Sequence, residues 1–109
     1  MKKLNGNIEA ILEVKTVTVN DIGEGVEEWT QALKLFGWLD LSNGSADFTN
    51  YNAKIQESTH VFVCDYVNLN VEESQCRLVI ANKEYEVLLI DNPMELNYHL
   101  EFYLKYTGD

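Results

Sequence analysis

The chain is poor in the residues that mark most chemistries. It holds two cysteines, two histidines and one proline, and its eight basic residues stand against eighteen acidic ones. The spacing of Cys64 and Cys76 matches no metal motif, and no Cys-x-x-Cys pair occurs. Without a secretory signal, the expectation is two reduced, partly buried thiols rather than a disulfide. No run is long and apolar enough to span a bilayer, and the polar residues 1–7 lack a signal-peptide core, which predicts a chain made and kept in the cytoplasm. The shortage of bases leaves a formal charge of -10. Long-range attraction to DNA, RNA or anionic membrane is therefore unfavourable, although a repelling surface suits a protein that DNA merely slides past.

Catalytic motifs are missing too. There is no GxSxG, HExxH or P-loop, and no GxGxxG between strand and helix. Gly23-Glu24-Gly25 lacks the Lys and Ser/Thr of a phosphate cradle. His60 and Cys64 lie four residues apart on one strand face, beyond hydrogen-bond reach of each other, so no thiolate-imidazole pair is expected. Asp21, Glu24, Glu27 and Glu28 crowd a glycine turn at a density that can hold Ca²⁺ or Mg²⁺, but their spacing is not that of an EF-hand, and a solvated turn explains them. The expectation is no catalytic residue, no cofactor and no metal.

What the chain does have is strand character. Its 109 residues allow one domain, residues 1–109, with one modest core, and 46% hydrophobic content argues against wholesale disorder. In residues 9–19, Leu12, Val14, Thr16 and Thr18 face one way, and Ile11, Glu13, Lys15, Val17 and Val19 the other. Residues 20–25 read as a turn. Residues 26–41 are ambiguous. Val26, Trp29, Leu33 and Phe36 recur at helical spacing, while Trp29, Gln31, Leu33 and Leu35 equally line one side of a strand kinked at Gly37.

A break at Ser42-Asn43-Gly44-Ser45 opens a long polar connection with Phe48 and Tyr51 set into it, of a length that is often functional. Residues 55–66 alternate again, apolar on both faces, and so are covered on both sides or meet a partner. Leu69 and Val71, in the polar link that follows, fit a short edge strand or tuck inward. Residues 77–90 outline a hairpin about Asn82-Lys83-Glu84. The last run places Tyr98, Leu100, Phe102, Leu104 and Tyr106 on one face, the mark of a strand with one side buried. Trp29, Trp38 and the six tyrosines have acidic neighbours, which favours core packing or a protein interface over base stacking.

This order of features is familiar. A β-run and an acidic glycine turn (Asp21-Ile-Gly-Glu-Gly) lead to Trp29, a bulky apolar stretch and Trp38. The Ser42-Asn43-Gly44 turn, a polar loop and the strand from Thr59 to Asp65 follow, and the Arg77-Leu-Val-Ile-Ala-Asn-Lys-Glu-Tyr-Glu-Val hairpin and a final strand close the chain. The pattern resembles the head-closure (head-tail joining, or stopper) proteins of long-tailed bacteriophages and prophages over nearly the whole chain. It departs from them in having Asn82-Lys83 where Asn-Gly is usual at the hairpin tip, and in its acidity.

The resemblance implies a mainly β fold, a small antiparallel barrel of about six strands with one long mid-chain loop, and makes residues 26–41 a strand. It implies a ring of copies beneath the portal and its adaptor, offering a docking surface to the tail while DNA passes without specific binding. The location implied is the virion, with assembly in the host bacterial cytoplasm. Ser42, Asn43, Gly44, Asp47, Phe48, Tyr51 and Lys54 become the candidate interaction loop, reaching towards the channel or a neighbouring subunit. Two other readings compete: a tail-completion protein with a similar barrel, and a small ligand-binding barrel using Trp29, Trp38 and nearby tyrosines.

Overall fold

The computed structural model describes residues 6–41 and 58–106, in which six strands follow the alternation of apolar and polar residues. They are β1 (Ile8–Val19), β2 (Gly25–Leu41), β3 (His60–Asp65), β4 (Cys76–Ile80), β5 (Lys83–Asp91) and β6 (His99–Tyr106). Around the sheet the order is β1-β2-β3-β6-β5-β4, and β4 pairs back onto β1 to close an antiparallel barrel. Inward-facing residues fill it. Leu12, Phe62, Leu78, Phe102 and Leu104 are fully buried, and Phe62 meets Phe102 directly across β3 and β6, ring edge to ring face, with centroids 6.3 Å apart.

Between β3 and β4 the chain packs against the barrel. Val67, Leu69 and Val71 tuck against the core instead of adding a strand, and a 3-10 turn at Glu73–Gln75 follows. Glu73 anchors that turn: its carboxylate accepts a hydrogen bond from the Ile90 amide at 2.6 Å. Residues 20–24 form the predicted turn. Asn20 Oδ1 accepts from the amides of Ile22 (3.1 Å) and Glu24 (2.9 Å), and Gly23 supplies the positive φ of 85°.

Three expectations are corrected. First, β2 is a strand throughout, but its irregularity lies at Ala32 rather than at Gly37. The ladder steps from Leu12↔Leu33 to Glu13↔Gln31, so Ala32 is a bulge. One extra residue reverses the alternation. Leu33 and Leu35 therefore point inward while Trp29 and Gln31 point outward, and these four do not share a face. Gly37 serves a different need: a Cβ there would run into the Val63 carbonyl and the Phe62 ring, so the glycine permits close approach of β2 and β3. Second, the hairpin tip is Ala81-Asn82, closed by the Ile80↔Lys83 pair, not Asn82-Lys83. Both tip residues have positive φ (52° and 65°), as a two-residue turn matched to strand twist requires. Third, the strand expected over 55–66 is shorter, His60–Asp65, and residues 55–57 lie outside the described residues.

Candidate interaction surface

The β1–β2 hairpin outgrows the barrel. Pairing of β1 with β4 covers only Ile11 to Val14, and pairing of β2 with β3 covers only Gly37 to Leu41. Beyond Val14 the inward positions of β1 become Thr16 and Thr18, facing Glu28 and Val26, so there is little to bury and the two strands continue as an arm. Five residues past Val14 add roughly 17 Å at strand rise, consistent with overall dimensions of 49 × 29 × 26 Å. The arm exposes Val17 (60%), Val19 and Ile22 (78%). Lys15 crosses to Glu27 at 3.5 Å.

A second surface lies on the barrel wall. Phe36 and Trp38 alternate outward on β2 and are 53% and 47% exposed. Trp38 pairs with Val63, and Val61 pairs with both Asp40 and Tyr103, so one apolar stripe crosses β2, β3 and β6. The apolar outer face expected for β3 is thus real, and its partially exposed valines continue the Phe36/Trp38 patch. Large exposed side chains grouped in this way mark contact with another protein. The stripe ends at carboxylates. Glu101 accepts from the Tyr103 hydroxyl at 2.8 Å and lies 3.2 Å from His99 Nε2. Burial, and then the neighbouring Glu101 charge, raise the Asp91 pKa, while His99 opposes the shift.

Trp38 lies on the outer wall, and Trp29 borders an open recess. Trp29 sits at the arm's base with the Arg77 guanidinium 4.2 Å above its ring, and Arg77 also reaches Glu13 (2.7 Å) and Glu84 (3.3 Å). Nine residues of strand separate Trp29 from Trp38, roughly 30 Å at strand rise. Two open recesses, of ≈ 280 Å³ beside Val67, Leu69 and Ile90 and of ≈ 270 Å³ beside Trp29 and Arg77, flank the packed interior. His60 packs edge-on against Tyr85 and Tyr106, and its Nδ1 lies 2.8 Å from Thr59 Oγ1. Among the described residues, no group of three or more His, Cys, Asp or Glu is placed to hold a metal ion. The candidate loop residues Ser42, Asn43, Gly44, Asp47, Phe48, Tyr51 and Lys54 lie outside the described residues.

Cys64 and Cys76 are free and buried. Burial, then the Asp65 charge, pushes the Cys64 thiol up to about 12, and burial, then Glu73, pushes Cys76 up to about 11. The native chain therefore keeps these protons at pH values where the unfolded chain, titrating near 9, has lost them. Their contribution to stability is complete below pH 9 and is lost as pH climbs towards 11 and 12. Cys64→Val, which fills similar space and does not ionise, should flatten the fall of the denaturation midpoint from pH 9 upward. An unaltered slope would show that Cys64 does not couple ionisation to folding.

No family model matches the chain, and no curated protein matches it in sequence. Its fold is shared with a chain in a solved structure described as the virion of a native gene transfer agent (GTA) particle, at a TM-score of 0.59 and 12% identity. The likeness covers 90% of this chain and 91% of that one, so the barrel and its additions correspond almost end to end.

Proposed function

We propose that this protein is a structural part of a phage-type virion. Specifically, it is a ring-forming connector that joins the DNA-filled head, at the portal and adaptor, to the tail and helps close the DNA channel. The observation that carries the reading is the near end-to-end correspondence of fold with a chain of a virion particle. Two features of this chain support it. An outer wall carrying Phe36, Trp38, Val61 and Val63 suits contact between copies in a ring, because a patch that meets a different patch on the next subunit closes a cycle. A formal charge of -10 lets DNA traverse the channel without adhering. The reading gives the chain no catalytic step and no cofactor, and locates it in the virion, with assembly in the host bacterial cytoplasm.

The test is deletion of the gene from the phage or inducible prophage that carries it. Loss of a closure protein leaves heads that fill, leak DNA and carry no tail, and supplying the protein in trans restores infectious particles. Heads that keep their DNA beside malformed free tails would transfer the role to tail completion. Normal particle yield without the gene would overturn the structural reading altogether.

A further inference from the structure

We infer that the free edge of β2 along the arm, residues 26–32, is a docking site for a basic, β-forming segment of another protein, taken up as an added strand. The inference does not depend on the virion reading. It begins from hydrogen bonding: among the described strands, β2 has a neighbour on only one side from Gly25 to Phe36, because β3 joins it only at Gly37. The open edge therefore presents a row of amides and carbonyls, the template that strand addition uses. Lysine and proline, which commonly block an edge, are absent from Val26-Glu27-Glu28-Trp29-Thr30-Gln31-Ala32; its charges are the carboxylates of Glu27 and Glu28, the latter on the inward face opposite Thr16, and these repel an acidic strand but not a basic one.

Charge selects the occupant. Asp21, Glu24, Glu27 and Glu28 crowd the arm, whose one base, Lys15, already lies 3.5 Å from Glu27. Glu28 has no ion-pair partner among the described residues. Glu27 and Glu28 project from opposite faces of the strand, so an added strand meets a carboxylate on each face. That strand would lie about 4.8 Å away, inside the screening length of about 8 Å at physiological salt, so the carboxylates act on it through partial screening that added salt deepens. Lysines or arginines on both faces of the incoming segment form favourable cross-strand pairs. A second copy of this chain brings carboxylates and no base on this stretch, so pairing two copies edge to edge gains no such opposite-charge pair.

The test uses the whole chain and a synthetic eight-residue peptide of Lys, Thr and Val with lysines on both strand faces. Its control is the same peptide with Glu for every Lys. By NMR, the lysine peptide should slow amide hydrogen exchange at least tenfold within residues 26–32, shift Trp29 fluorescence, and lose affinity as salt is raised. The glutamate peptide should do none of this. The double variant Glu27→Lys/Glu28→Lys, altered only at exposed positions, should reverse the preference between the two peptides. No slowing at millimolar lysine peptide, equal slowing by both peptides, or self-association that protects these amides without peptide would each overturn the inference.

Discussion

Replacing Phe102 by alanine is expected to lower the unfolding free energy by about 3–5 kcal/mol, the range for truncating a buried phenylalanine. Phe102 is fully buried, pairs with Phe62 across β3 and β6, and contacts that ring edge-on. Losing it removes the transfer energy of the ring and leaves a cavity that the closed wall of strands cannot easily collapse to fill. Against a total stability of roughly 5–15 kcal/mol for a domain of ordinary stability, this removes more than half the margin at the low end. Urea denaturation followed by circular dichroism gives the check: the midpoint should fall with little change in slope. Phe102→Leu, which keeps most of the volume, should cost less. A loss below about 1 kcal/mol for the alanine variant would mean that the barrel interior is not close-packed as described.

The second large effect concerns assembly and leaves folding nearly intact. The double variant Phe36→Asp/Trp38→Asp should fold with a midpoint close to the parent's, because both side chains are about half exposed and face away from the core. On the proposed connector role, its incorporation into particles, or into rings formed with portal and adaptor, should drop at least tenfold. Two carboxylates would then stand in the stripe that the proposed ring contact buries, beside the existing Asp40 and Glu101. Immunoblotting of purified particles measures it, with Met94→Asp, a more exposed apolar position in the turn between β5 and β6, as the control. Equal incorporation of the double variant and parent would remove the stripe from the interface.

The two experiments separate quantities that the sequence presents alike. Phe36 and Phe102 are both phenylalanines in alternating strands, yet one is 53% exposed and the other fully buried. For Phe102 the distinction was legible. Leu100, Phe102 and Leu104 alternate with His99, Glu101 and Tyr103, and such contrast admits one inner face. For Phe36 it was not. Residues 26–41 carry apolar groups on both parities, and a bulge at Ala32 reverses the faces midway, so no single period fits the segment. The hairpin tip slipped by one residue for a related reason: the Ile80↔Lys83 pair sets the turn at Ala81-Asn82, and a partner's register cannot be read from one strand alone. The apolar stripe was half visible, since β3 was apolar on both faces, but its union with Phe36 and Trp38 depends on β2 pairing with β3.

By itself the amino-acid order determined the strand character of β1, β3, β4, β5 and β6, the inward face of β6, the glycine turn after β1 and the acidic balance. Each is a local or compositional property, settled by side-chain period, by backbone freedom at Gly23 or by counting charges. The tertiary structure alone decided that β4 returns to β1, that the arm escapes the barrel beyond Val14, and that Trp29 turns outward onto Arg77. Those outcomes follow from which strand finds which neighbour, and in what register. That choice is made by the summed burial of residues far apart in the chain, which no single segment encodes.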